Sequence, residues 1–306
     1  MTTITANTTS LDRTALQRGR IREGAGFIAA LDQSGGSTPR ALAAYGIDES
    51  GWSDEAEMFD LVHAMRTRLI TSRAFASGGI IGAILFEQTL EREVDGRPTA
   101  DYLWETRGIV PFVKCDAGLA VADGGVQLMA PNPRLPELLQ RAAESGVYGT
   151  KMRSVIHEPN AAGIAALVQQ QFEVAAEIQR AGLVPIIEPE VSIDASGKAI
   201  AEQLLADELQ RHLDDLGEHS VLLKLTLPER PDLYERFAGH PRVERVVALS
   251  GGYDLHESCR RLREAGCMTA SFSRVLMTGL TADLDDASFE SRLAETVSMV
   301  HEASTA

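Results

Sequence analysis

Eight short apolar runs divide the chain, and their spacing is the strongest constraint on its fold. They are "GFIAALDQS" from Gly26, "IIGAILFEQ" from Ile80, "GIVPFVK" from Gly108, "GVYGTKMR" from Gly146, "GLVPIIEPEV" from Gly182, "SVLLKLTLP" from Ser220, "RVVALSGG" from Arg245 and "CMTASFSR" from Cys267. Each is short, rich in β-branched or large aliphatic residues and often edged by Gly or Pro, the pattern of a buried strand. Helical periodicity fills the intervals: "DEAEMFDLVHAMRTRLI" from Asp54 with Ser53 as N-cap, "NAAGIAALVQQQFEVAAEIQRAG" from Asn160, "IAEQLLADELQRHLDDLG" from Ile200, and "YDLHESCRRLREAG" from Tyr253 with Asp254 as N-cap. The interval after the first run is long enough for more than one helix. Strands alternating with helices predict a parallel sheet covered by helices, and eight regular units favour a closed (β/α)8 TIM barrel over a doubly wound open sheet. A chain of 306 residues suits one such domain, and no repeat, linker or low-complexity segment interrupts it.

Charge and termini narrow the function. A net charge of −15 opposes general attraction to nucleic acid or anionic membrane, so neither is an expected partner. No apolar run is long enough to cross a bilayer. The three cysteines, Cys115, Cys259 and Cys267, match no disulfide or zinc spacing and point to a reducing, cytoplasmic setting. The opening "MTTITANTTS" lacks the form of a secretory signal and reads as a polar, mobile arm. The expected arm covers residues 1–20 and the barrel domain residues 21–306.

The C-terminal ends of the runs carry the polar residues. In order these are Asp32, Glu87, Lys114, Lys151 with Arg153, Glu188 with Glu190, Lys224, Ser250-Gly251-Gly252, and Ser273 with Arg274. That end of a parallel barrel is where active sites form. Strand ends also meet solvent, and polar residues there are ordinary. Solvent does not explain Lys224, which sits inside its run. Side chains alternate faces along a strand. Lys151 therefore shares a face with Arg153, Glu188 with Glu190, and Lys224 with Thr226. If those faces point inward, carboxylates and cations converge in one cavity, as a catalytic set or as a self-neutralising ion network. A neutral lysine amine attacks a ketone or aldehyde to form a Schiff base, favoured by desolvation and a neighbouring cation such as Lys151. A core lysine paired with Glu188 or Glu190 fits the pattern nearly as well.

"LSGGYD" places two glycines between a strand and a helix N-terminus, leaving amides free to face an anion, with Ser250 and Arg274 to assist. "DQSGGS" is similar or is a plain loop. Metal chemistry is not expected: His63, His157, His212, His219, His240, His256 and His301 form no close pair with ligand spacing. No dinucleotide fingerprint appears.

Taken in order, "GFIAALDQSGGSTP", "FEQT", "TADYLWETRGIVPFVK", "GTKMRSVI", "IIEPEV", "LLKLTLP", "ALSGGY" and "ASFSR" resemble class I fructose-bisphosphate aldolase in its shorter bacterial form, from about Gly24 to beyond Arg274. The resemblance implies a (β/α)8 barrel that cleaves fructose 1,6-bisphosphate through a Schiff base, with no metal or other cofactor. It implies Lys224 as the Schiff-base lysine and Glu188 as general acid/base, with Glu190 as its partner. Asp32 is then the catalytic aspartate, and Lys151 and Arg153 line the site. It implies Ser250, Gly251, Gly252, Ser273 and Arg274 as the grip on the phosphate near the ketone. Lys114, Ser34 and Ser37 fall near the other phosphate. The implied partner is a phosphorylated sugar, and a homo-oligomer is compatible with such a barrel. One departure stands out. Animal members end in a catalytic tyrosine, whereas the last tyrosine here is Tyr253 in the "SGGY" loop, so the resemblance does not assign the group that protonates the enamine carbon.

Overall fold

The computed structural model describes residues 10–306. Eight parallel strands form the central sheet: β1 Phe27–Leu31, β2 Ile80–Leu85, β3 Val110–Lys114, β4 Gly149–Ile156, β5 Val184–Val191, β6 Val221–Thr226, β7 Val243–Leu249 and β8 Thr269–Ala270. They are hydrogen-bonded in chain order, and the ring closes where the Ala30 amide donates to Phe272 O at 3.0 Å. The architecture is the (β/α)8 barrel that the run spacing predicts. β8 is only two residues long, although the Ser271 amide still donates to Ala248 O of β7 at 2.7 Å.

Helices α1 Ser10–Glu23, α2 Ser37–Ala44, α3 Glu55–Thr71, α4 Leu135–Glu144, α5 Ala161–Arg180, α6 Lys198–Asp214, α7 Leu255–Ala265 and α8 Asp286–Ser304 accompany the strands. The long first interval holds both α2 and α3. The cap of α3 is Asp54, one residue beyond the expected Ser53: its carboxylate accepts from the Glu57 amide at 2.9 Å. Ser53 is instead held from the other direction, both its amide and its hydroxyl donating to the Glu57 carboxylate at 2.7 Å. Asp254 caps α7 as expected, and Asn160 caps α5.

The strands bury both faces, as parallel strands under helices must. Phe27, Ala29, Leu31, Met152, Ile187, Leu223, Leu225 and Ala248 belong to the large core beneath the helices. Ile28, Ala30, Phe112, Ile186, Leu222 and Val247, on the opposite parity, fill the lumen. The three cysteines are free thiols. Among the described residues no helix is long and apolar enough to cross a membrane.

The mobile arm expected over residues 1–20 needs correction from Ser10 onward; residues 1–9 lie outside the described residues. Residues 10–23 are helix α1, and its Ile21 enters the lumen cluster. Gln17 Nε2 donates to Gly146 O at 3.2 Å, and Arg18 pairs with the buried Glu244 at 3.0 Å. The helix thus plugs the N-terminal end of the barrel, leaving chemistry to the other end.

Candidate active site

Strand parity decides where Lys224 points. Leu222 lies in the lumen, and Leu223 and Leu225 lie under the helices. Lys224 therefore faces inward, about 7 Å further toward the C-terminal mouth than Leu222. The same parity sends Asp32, Lys151 and Glu188 to the same level. All four are buried, with Lys224 4% and Lys151 3% exposed.

They form one connected cluster. Lys151 Nζ lies 2.6 Å from Asp32 Oδ2 and 3.1 Å from Glu188 Oε2. Lys224 Nζ lies 3.0 Å from Glu188 Oε1. Glu188 thus sits between the two lysines. Although Lys151 is close, its direction is wrong for a hydrogen bond, and Glu188 Oε2 is a buried acceptor without a donor. Burial alone would raise the Asp32 carboxyl, but the charges of Lys151, Lys224 and Lys114 override it and hold the group well below the usual carboxylate range. Burial alone would lower the Lys151 ammonium, but Asp32, Glu188 and Asp116 override that and raise it, so Lys151 remains a fixed cation. One step toward the mouth, Arg153 Nε pairs with Glu190 Oε2 at 2.6 Å. Burial opposes that charge too, yet Glu190 raises the guanidinium above its ordinary value. Glu190 is therefore engaged by Arg153.

The ladder itself is opened for this cluster. β5 and β6 pair only at Ile186 with Leu222 and Ile187 with Leu223. At the next residue the Glu188 amide donates to Gln171 Oε1 of α5 at 2.9 Å. Further along, Thr226 Oγ1 accepts from the Val191 amide at 2.9 Å and donates to Val191 O at 2.7 Å. Pro189 has no N–H to contribute. Two polar side chains thus replace main-chain pairing, and the strands part at the height of Glu188 and Lys224.

Around the rim, the expected anion contacts divide. Arg274 is exposed and has no ion-pair partner among the described residues. Lys114 is bound to Asp116, by its carboxylate and by its carbonyl at 2.8 Å, while still contributing to the field on Asp32. In the "SGG" turn, Gly251 and Gly252 adopt φ of 65° and 130°. A Cβ on Gly251 would also approach Ile193 Cγ2 to 2.7 Å, so a side chain is excluded twice. The α7 N-terminus is partly occupied by its own cap, since Asp254 accepts from the Glu257 amide at 2.9 Å. The amides of Gly251 and Gly252 in the turn have no backbone acceptor among the described residues. Ser37 Oγ closes its own loop, donating to Ser34 O at 2.7 Å and accepting from the Ser34 amide at 2.9 Å. Tyr253 is turned into the rim, where its hydroxyl donates to Glu229 at 3.5 Å and Arg261 covers its ring.

Several site groups escape sequence reasoning. Arg66 of α3 is 1% exposed and touches no carboxylate; it donates to Thr89 Oγ1 at 2.6 Å and to Gln33 O at 2.7 Å. Burial lowers its guanidinium to about 10, against the opposing pull of Asp32, so it is charged at neutral pH. Gln171 and Gln33 were equally unmarked. The available signal for each was a polar residue on the inward stripe of a helix, or beside a strand-end carboxylate.

A buried lysine amine beside a carboxylate and a second lysine, at the C-terminal mouth of a (β/α)8 barrel, supplies the groups that Schiff-base chemistry requires. A family model described as glycolytic, fructose-bisphosphate aldolase class-I, matches residues 14–233. The fructose-bisphosphate aldolase class 1 of Synechocystis sp. is 54% identical over 280 residues, covering 91% of this chain and 93% of the relative. The chain belongs to the class I fructose-bisphosphate aldolase family. The fold is shared with the fructose-bisphosphate aldolase of Plasmodium falciparum, solved in complex with TRAP and an inhibitor: TM-score 0.78 at 21% identity, with 97% of this chain and 95% of that one covered.

Proposed function

We propose that the cluster around Lys224 carries out the family reaction, reversible cleavage of fructose 1,6-bisphosphate to dihydroxyacetone phosphate and glyceraldehyde 3-phosphate, in the cytoplasm. The observation that carries the assignment of roles is Lys224 Nζ lying 3.0 Å from Glu188 Oε1, with the other Glu188 oxygen bearing no hydrogen bond. Glu188 can take the proton that the amine must lose, and its second oxygen is left to act on substrate.

The neutral Lys224 amine attacks the ketone carbon and forms a carbinolamine. Glu188 returns the amine's proton to the former carbonyl oxygen, which leaves as water to give the iminium, with the fixed Lys151 cation supporting charge on that oxygen. Glu188 then takes the proton from the hydroxyl on C4. The O–H electrons form the aldehyde carbonyl, the C3–C4 bond breaks, and its electrons pass to the iminium nitrogen as an enamine. Asp32 positions the hydroxyls through its bond to Lys151. Reprotonation of the enamine carbon and hydrolysis of the iminium release dihydroxyacetone phosphate and restore Lys224. Arg153, fixed by Glu190, flanks the reacting carbons. Ser250, Gly251, Gly252, Ser273 and Arg274 hold the phosphate at the ketone end, and Lys114, Ser34 and Ser37 meet the other.

Borohydride reduction in the presence of dihydroxyacetone phosphate tests the assignment. The expected result is a covalent adduct on the Lys224 peptide that requires both ligand and reductant. An active protein with no adduct on any lysine, or with its adduct on Lys151, would overturn it.

A further inference from the structure

The seam between β1 and β8 is the weakest join in the barrel. β8 has two residues, and beside the Ala30–Phe272 bond the mouth is bridged by side chains. Gln33 Nε2 donates to Ser273 Oγ at 2.7 Å. The direction of that bond is set from behind. Arg66 Nη2 donates to Gln33 O at 2.7 Å and lies 3.3 Å from Gln33 Oε1. A guanidinium can only donate. It therefore turns the amide oxygen of Gln33 toward itself and the NH2 group toward Ser273. Ser273 Oγ, already accepting, has its own proton left to give, and no protein acceptor for it appears among the described residues. Arg66 is anchored at its other end by Thr89 of the segment after β2, at 2.6 Å.

We infer that Arg66 and Gln33 are positioning residues for the anion-binding rim, forming a one-way chain of donors, Arg66 to Gln33 to Ser273, that aims the Ser273 hydroxyl proton at a phosphate and fixes Arg274 beside it. This deepens the reading above and rests on it. Donor chains of this kind polarise one another, and the charge at the buried end strengthens each bond toward the ligand. The chain also ties the loop that begins with Asp32 to the loop that begins with Ser273, so one buried cation sets the distance between the reacting end and the phosphate end of the site.

The test uses Gln33→Met, which keeps length and packing at a half-buried position while removing the relay, alongside Ser273→Ala and the double variant. kcat/KM is measured for fructose 1,6-bisphosphate and for fructose 6-phosphate, which lacks the ketone-end phosphate. The expected result is about a tenfold loss with the bisphosphate, carried in KM, and little change with the monophosphate. The double variant should lose no more than Ser273→Ala alone. Equal losses on both substrates would reduce Gln33 to a structural residue and overturn the proposal, as would additive losses in the double variant. A wild-type preference for the bisphosphate that Gln33→Met leaves intact overturns the proposal alone. A wild-type enzyme indifferent to the ketone-end phosphate overturns the phosphate reading and the proposal with it.

Discussion

Glu188→Gln separates the two jobs assigned to one carboxylate. The substitution keeps shape and removes one charge from the midst of two lysines. In the resting protein the carboxylate lies 3.0 Å from Lys224 and 3.1 Å from Lys151. An amide can offer its oxygen to only one of them and must turn its NH2 toward the other. Lys151 keeps Asp32 at 2.6 Å, so the main loss falls on Lys224. Breaking a buried pair by removing one partner costs up to about 3–5 kcal/mol, and a fall in Tm on the order of 5–10 °C follows for a chain of this size. Catalysis suffers more. Removing a general base typically costs about two to four orders of magnitude in rate, equivalent to roughly 3–5 kcal/mol of transition-state stabilisation. Lys224 itself is untouched, so the ketone can still be captured, more slowly without Glu188 to take the amine proton. The assay therefore has two arms: steady-state cleavage of the bisphosphate, and the mass of the borohydride-reduced Lys224 peptide. Cleavage should fall by at least a hundredfold while the adduct still forms. A loss of less than tenfold would refute the base assignment. Adduct and cleavage disappearing together would show that Lys224 cannot capture the ketone without Glu188, and would leave the C4 base assignment without support.

Other consequences can be checked singly. Asp32 is held below the ordinary carboxylate range, so its contribution to stability is present above the unfolded value of about 3.9 and is lost as pH falls below it. The Tm gap between wild type and Asp32→Asn should thus narrow as pH drops below about 4; a gap that widens would contradict the sign. Raising ionic strength from about 0.02 to 0.2 M should raise KM for the bisphosphate, because screening weakens attraction to the rim cations; a constant KM would count against a charge-guided site. Asp116→Asn frees Lys114 from its resting partner and should lower KM for a substrate with two phosphates; an unchanged KM would remove Lys114 from the phosphate contacts.

Strand parity made much of the site readable. It placed Lys151 with Arg153, and Glu188 with Glu190, on common faces, and the ion pairs join those faces. It left the direction of Lys224 open, because Leu222, Leu223 and Leu225 are equally apolar; the packing of Leu223 and Leu225 beneath the helices decides it. What stayed hidden came from helices. Arg66 and Gln171 lie on helical stripes that cover the strands, and periodicity cannot tell a polar residue that reaches a strand end from one that meets solvent. α1 was missed for a related reason. Its Leu16 is 59% exposed, while its attachment depends on Ile21 and on the polar bonds of Gln17 and Arg18. A helix held mainly by polar contacts leaves no apolar period to detect.

The charge balance of the mouth explains why a strongly acidic protein can handle a strongly acidic substrate. The inner layer sets Asp32 and Glu188 against Lys151 and Lys224, and the next sets Glu190 against Arg153. Each layer neutralises itself, which keeps buried charge tolerable without ligand. That same neutrality means the inner cations are not free to hold a phosphate. Of the four expected positive groups, Lys114, Lys151 and Arg153 are already engaged by carboxylates. Arg274 alone stands unpaired among them. On the proposed function, phosphate recognition leans on neutral donors: the amides of Gly251 and Gly252, whose backbone excludes side chains, and the hydroxyls of Ser250 and Ser273. Neutral donors bind an anion without placing another unpaired cation in the empty site. They also leave Lys151 committed to the carboxylates whose charge state the bond-breaking step requires.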